Sequence, residues 1–272
     1  MPYITIKNKF IITVALSTAW MLLSIVLSIP WYEQLSAHTS EAIAFFLIGF
    51  IAIIPGFMNA FIMIALALDK RPAVPQLKSY PSVTVLVAAY NEASSIEDTV
   101  RSLMRQDYPG QLDVVVINDG SADQTADIVR RLLPEFANLR LIDLTKNAGK
   151  ANALNQGLRT CETQFIITVD ADCWIWKNGI QNLVGRRMAD PANTRAVAGA
   201  ILIRNSRQNW LTKAQEWDYF LGIAAIKRIQ SLFQGTLVAQ GAFSVYDRDV
   251  LIEVGGWPET VGEDIVLTWK IL

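Results

Sequence analysis

Two long stretches near the N-terminus carry no charged residue, and they constrain the chain more than any other feature. Residues 10–29 are 20 uncharged, mostly apolar residues, and residues 42–68 are 27. A bilayer core asks for about 20 apolar residues in helical form, so each stretch suffices for one span. Pro55, Gly56 and Asn59 lie inside the second, which predicts a kink there that neighbouring groups must satisfy. A cleavable leader would need an apolar run of only about 7–15 residues and a small-residue cleavage site. The first run is longer, and Leu35 stands where cleavage after Ala37 would want a small side chain. The first stretch therefore reads as an uncleaved anchor.

Basic residues set the expected topology. Lys7 and Lys9 precede the first span, and Lys70, Arg71 and Lys78 follow the second. The intervening residues 30–40 hold no Lys or Arg and read as a short external loop, with Trp31 and Tyr32 in the interfacial aromatic belt. Both flanks are then cytoplasmic, in a multi-pass protein of the inner (plasma) membrane. Pro72, Pro75 and Pro81 make residues 69–81 an extended connector. The expected division is a membrane region with linker over 1–80 and one domain over 81–272.

Composition narrows the chemistry. The net charge is −1, from 24 basic and 25 acidic residues, without the basic footprint of a nucleic-acid binder. Two cysteines, Cys161 and Cys173, supply neither a disulfide framework nor a zinc spacing and read as reduced thiols. With His38 the sole histidine, carboxylates are the expected agents of any catalysis.

After residue 80 the pattern alternates. Residues 83–88, 112–117, 139–144, 165–169 and 196–203 read as strands, nearly continuous in apolar residues as strands buried on both faces are. Residues 96–105, 123–133, 150–159 and 178–189 read as amphipathic helices. Such alternation predicts a mainly parallel α/β sheet with right-handed crossovers, whose ligands bind beyond the carboxyl ends of the strands.

Acidic residues collect at those ends. The first strand runs into Ala89-Tyr90-Asn91-Glu92, the second into Asn118-Asp119-Gly120-Ser121, the fourth into Asp170-Ala171-Asp172. On an extended segment Asp170 and Asp172 would point the same way, and their hard oxygens suit Mg²⁺ or Mn²⁺. Taken alone, Asp119 is an ordinary turn or cap residue. Lys150, at a helix start where anions are favoured, could equally be a solvated lysine. Gly149-Lys150 is followed by Ala151, so the segment is no phosphate-binding P-loop, and no Gly-x-Gly-x-x-Gly occurs. Glu263 and Asp264 alone read as first-turn acids of a helix. The run Gln240 to Tyr246 reads as a strand whose Gly241 marks a close approach.

Taken in order, five stretches resemble the family 2 glycosyltransferases, and among them the membrane-embedded polysaccharide synthases. They are Val87-Ala88-Ala89-Tyr90-Asn91-Glu92, Val116-Ile117-Asn118-Asp119-Gly120-Ser121, Asn147-Ala148-Gly149-Lys150 with the following Ala151 to Asn155, Val169-Asp170-Ala171-Asp172, and Gly255-Gly256-Trp257 leading to Gly262-Glu263-Asp264. The resemblance implies a GT-A (Rossmann-like) fold, a UDP-sugar donor and Mg²⁺ or Mn²⁺. By motif, Ala89, Glu92, Asp119, Lys150 and Asp170 would surround the donor, and Asp172 would face the metal. Asp264 would be the general base, with Gln240, Gly241 and Glu263 near a carbohydrate or lipid-linked acceptor. Gly262 stands where the family usually has Thr, a departure expected to loosen the helix start. The stretch from Ala214 to Arg228 is most similar to the poly-β-1,6-N-acetylglucosamine synthases, which implies N-acetylglucosamine as the sugar and exopolysaccharide as the product.

The processive members also carry a Gln-x-x-Arg-Trp motif and later membrane helices. Neither is found in this sequence, so the catalytic domain is expected to be incomplete at its C-terminus. Two rivals follow: an inactive membrane protein that keeps UDP-sugar binding, with or without an accessory membrane subunit, and a non-processive transferase that makes a glycolipid.

Overall fold

The structure, a computed structural model, describes residues 4–70, 77–233 and 235–272. In chain order its helices are α1 (Ile6–His38), α2 (Glu41–Leu47), α3 (Ile54–Leu68), α4 (Ile96–Met104), α5 (Thr125–Leu132), α6 (Lys150–Leu158), α7 (Gly179–Ala189), α8 (Trp210–Tyr219), α9 (Ile226–Leu232), α10 (Arg248–Glu253) and α11 (Glu263–Ile271). The strands are β1 (Val83–Ala89), β2 (Leu112–Asp119), β3 (Leu139–Leu144), β4 (Phe165–Val169), β5 (Ala196–Ala198) and β6 (Phe243–Asp247). Arg71, Pro72 and Pro75, which entered the topology and linker expectations, lie outside the described residues. The chain divides into two compact units: Met1–Arg71 with Arg207–Thr236, and Pro72–Ser206 with Leu237–Leu272.

In the first unit, α1 forms one long apolar helix, and α2 runs through a π-helical turn, Ile48–Ile53, into α3. Both are long and apolar enough to cross a membrane, with most of their side chains outside the protein interior. Two expectations are corrected here. Residues 30–40 do not form a loop: α1 continues through Pro30 to His38, and only Thr39 and Ser40 break the helix, with Ser40 accepting from the Ile43 N–H. An interior proline costs one helical hydrogen bond, which a long apolar helix absorbs. The irregularity expected at Pro55 sits one turn earlier, in the π-helical turn, where widening the helix accommodates the missing N–H. The segment from Trp210 to Leu232, in which α8 and α9 are joined by a second π-helical turn, belongs to this unit as well. Ile229, Leu232 and Phe233 pack against Phe61, Ile62, Ala65 and Leu66 of α3.

The second unit is a six-stranded sheet in the order β3-β2-β1-β4-β6-β5. β3, β2, β1 and β4 are parallel, while β6 runs antiparallel between β4 and β5. Period-two alternation along the strands builds two core layers. Val83, Val85 and Val87 join Val114, Val116 and Ile167 on the face covered by α4, α5 and α7. Leu86, Val115, Ile117 and Ile166 point the other way, under Leu154 and Leu158 of α6, Leu251 of α10 and Leu267 of α11. The strand expected over 196–203 is confined to Ala196–Ala198, and the one expected from Gln240 begins at Phe243. The residues before Phe243 leave the sheet because Gly241 and Ala239 are bonded to α11 instead.

Candidate active site

β1, β2 and β4 are parallel neighbours, so their carboxyl ends open on one edge. Asp119 ends β2 and is 2% exposed. Its two oxygens accept from the N–H groups of Ala148 and Gly149, at 3.0 and 2.8 Å. It thus holds the loop that opens α6, and does not cap α5. Lys150, the first residue of α6, is thereby placed to donate to Oδ1 of Asp170 at 2.5 Å. Its ammonium also lies 3.9 Å from Glu263.

The Asp170 segment corrects a local expectation. β4 ends at Val169, and Asp170 to Cys173 form a turn closed by the Cys173 N–H on the Asp170 carbonyl at 3.0 Å, so the segment is not extended. The turn still gathers donors: a ligand atom from each of Asp170, Asp172 and Cys173 lies within 4.8 Å of the others. Two carboxylates suit a hard divalent cation, and the thiol is a softer third donor. Burial, with Asp170 and Asp172 nearby, pushes the Cys173 thiol up to about 12. Sequence reasoning left Cys173 as a simple thiol, although its place directly after Asp172 was a usable signal.

The far wall comes from α11. Gly262 opens it in the left-handed region, at φ 76°, a conformation strained for the Thr usual at that position. Glycine adopts that conformation without strain, and α11 starts without a side-chain cap. Asp264 Oδ2 accepts from the Gly241 N–H at 2.7 Å, while its buried Oδ1 has no partner among the described residues. Thr268 anchors this arrangement: its hydroxyl donates to the Asp264 carbonyl and accepts from the Ala239 N–H. The Tyr246 hydroxyl donates to the Ala239 carbonyl.

A Cβ on Gly241 would sit 2.7 Å from Asp264 Oδ2 and 3.0 Å from the Lys150 ammonium. Gly241, Lys150, Asp170, Glu263 and Asp264 therefore meet at one spot. Burial pushes the Asp264 carboxyl up, against the opposing pull of the Gly241 N–H and Lys150. Burial is also the largest influence on Lys150 and lowers it, but Asp170, Asp264 and Glu263 together outweigh it and hold the ammonium above its ordinary value.

Other expected residues make local contacts. Ala89 is buried at the end of β1. Glu92 is engaged locally: its carboxylate accepts from the Ser95 hydroxyl, and its N–H donates to Thr125. The Gln240 amide donates to the Gly199 carbonyl at 2.8 Å. Sequence reasoning did not find the clamp behind the site. Asn155 of α6 accepts from the Trp257 N–H and donates to the Trp257 carbonyl, at 2.9 and 2.8 Å.

Residues 84–255, most of the chain, match the model described as glycosyl transferase family 2. The chain belongs to that family. This family 2 chain is 32% identical over 206 residues to poly-beta-1,6-N-acetyl-D-glucosamine synthase of Staphylococcus aureus, which covers 75% of it and 49% of the relative. To the synthase of the same name from Staphylococcus epidermidis it is 33% identical over 190 residues, 70% of this chain and 45% of the relative. It thus spans about half the length of the curated relatives it matches. Among solved structures it resembles the mannosyltransferase PcManGT from Pyrobaculum calidifontis, in complex with GDP-Man and Mn²⁺. The TM-score is 0.63 at 25% identity, covering 95% of this chain and 63% of the other. The fold is the α/β, GT-A type expected of a family 2 member, with two long apolar helices ahead of it.

Proposed function

We propose that this protein transfers a sugar, with inversion, from a UDP-sugar to an acceptor hydroxyl at the cytoplasmic face of a membrane. One observation carries the proposal: a buried carboxylate oxygen with no partner among the described residues, Oδ1 of Asp264, beside the Lys150–Asp170 pair. A buried oxygen left unpaired is costly unless a ligand group meets it. The acceptor hydroxyl is that group. As its oxygen bonds to the anomeric carbon, its proton passes to Asp264 and the bond from that carbon to the diphosphate oxygen breaks, releasing UDP. An Asp carboxyl raised by burial is a stronger base than an ordinary one.

Lys150 supplies a fixed positive charge for the diphosphate, backed by the helix start that presents it. Ala89, Glu92, Asp119 and Asp170 complete the donor side. Gln240, Gly241 and Glu263 line the acceptor side. The donor set at Asp170 and Asp172 fits Mg²⁺ or Mn²⁺, with Asp172 as the principal ligand; such an ion, when bound, neutralises charge on the leaving diphosphate. The Mn²⁺ complex of the mannosyltransferase supports that fit.

The activity for which these relatives are named supports N-acetylglucosamine as the sugar and a polysaccharide as the product. The two apolar helices, with Lys7 and Lys9 in the first turns of α1 and Lys70 and Lys78 after α3, support anchoring with the sheet unit in the cytoplasm. Over the sequence this gives a membrane region with linker to residue 80 and a transferase domain beyond it.

The test is UDP release from UDP-N-acetylglucosamine by the purified, membrane-reconstituted chain with Mn²⁺. Release well above that of Asp264→Asn is expected. Equal release by the two would overturn the proposal. Binding of UDP without any release would favour the inactive, donor-binding reading.

A further inference from the structure

We propose that Thr268 is a positioning residue for the Asp264 carboxylate, closing a ring of hydrogen bonds that holds both the main chain and the side chain of that aspartate. Thr268 stands one helical turn after Asp264 in α11 and is buried. Its hydroxyl donates to the Asp264 carbonyl at 2.7 Å and accepts from the Ala239 N–H at 2.8 Å. Two residues beyond Ala239, the Gly241 N–H donates to Asp264 Oδ2 at 2.7 Å. The ring thus runs from the Asp264 carbonyl through Thr268, Ala239 and Gly241 back to the Asp264 carboxylate.

The place requires a hydroxyl, which gives one hydrogen bond and takes another; valine, of the same shape, does neither. Donation to the carbonyl one turn back is ordinary for a helical threonine. Acceptance from Ala239, 29 positions away in a different segment, is not. The sheet holds residues 239–241 from the other side. The buried Tyr246 hydroxyl of β6 donates to the Ala239 carbonyl at 2.7 Å, and the Ser244 hydroxyl to the Gln240 carbonyl at 2.6 Å. Thr268 therefore ties a segment fixed on the sheet to the helix that carries Asp264, a helix whose start has no side-chain cap. Without the hydroxyl, the buried Ala239 N–H has no acceptor, a costly state that the segment relieves by moving. That movement draws the Gly241 N–H away from Asp264 Oδ2. The role rests on the reading of Asp264 as the base and deepens it.

Thr268→Val and Thr268→Ser test it in the purified, membrane-reconstituted full chain. With UDP-N-acetylglucosamine and Mn²⁺, Thr268→Val should lower kcat for UDP release by up to about 100-fold and leave the donor KM in place. Thr268→Ser should restore most of the rate. Amide hydrogen exchange adds a readout that needs no turnover. The Gly241 N–H donates to the Asp264 carboxylate, so its exchange reports where that carboxylate sits. Exchange there should quicken in Thr268→Val and stay slow in Thr268→Ser, while the β1 amides keep their protection in both. Wild-type kcat or wild-type Gly241 exchange in Thr268→Val overturns the inference, and so does a serine variant as impaired as the valine one. If the wild-type chain releases no more UDP than Asp264→Asn, the base reading fails by itself and Gly241 exchange decides the role of Thr268. Should Thr268→Val not fold, Tyr246→Phe loosens the same segment from the sheet side. Faster Gly241 exchange is then expected, and unchanged exchange overturns the inference.

Discussion

The backbone N–H of Gly241 donates to Oδ2 of Asp264 at 2.7 Å, and a methyl group on Gly241 would fall at that same distance from the same oxygen. The glycine both orients the carboxylate and makes room for it. Gly241→Ala should therefore push Asp264 aside with little effect on the core. A displacement of about 1 Å at a reacting group costs about 100-fold in rate. UDP release should drop by that order while the thermal melting curve stays in place; full activity in the alanine variant would refute the packing argument.

Asp264 and Asp172 should fail differently. Asp264→Asn keeps the hydrogen-bond geometry but removes the base, a loss of about 10²–10⁴-fold in rate, with UDP binding kept. Asp172→Ala should weaken UDP binding in Mn²⁺ and leave metal-free binding unchanged. Calorimetry with and without Mn²⁺ separates the two, and loss of binding in Asp264→Asn would contradict the base assignment.

The rate should fall on acidification through the raised pKa of Asp264, because the base works only when ionised. Burial lifts that group, so the acid limb of kcat/KM should lie above the ordinary Asp value of about 4. Lys150 opposes the lift, and Lys150→Gln should move the limb to still higher pH. A limb at the ordinary value in both proteins would show that Asp264 is not the titrating group.

Asn155 makes two hydrogen bonds to the backbone of Trp257, a residue that is 1% exposed. Asn155→Ala leaves both backbone groups short of partners at a cost of about 1–3 kcal/mol each. The melting temperature of the solubilised chain should fall clearly. The Trp257 segment leads toward α11, so transfer should fall as well.

Much of the sheet unit is legible in the sequence. The four parallel strands appear as branched apolar runs because burial on both faces leaves no room for polar residues. Lys150 and Glu263 stand at helix starts as expected. The helix from Trp210 to Leu232 was not legible, since Gly222 and its scattered charges interrupt the pattern and its apolar stripe faces outward. The loop expected over residues 30–40 erred in the opposite sense, since α1 runs on through Pro30, whose single missing hydrogen bond is tolerated.

The sequence by itself determined two apolar helices, an alternating α/β unit and a row of carboxylates at strand ends, because periodicity and burial act locally along the chain. Only the tertiary structure decided which carboxylate has which neighbour. Lys150 reaches Asp170, and Asp264 reaches Gly241, because α6 packs on β1 and β2, β4 lies next to β1, and the residues leading into the antiparallel β6 bond to α11. Contacts between residues far apart in the chain depend on that closure, which local patterns do not encode.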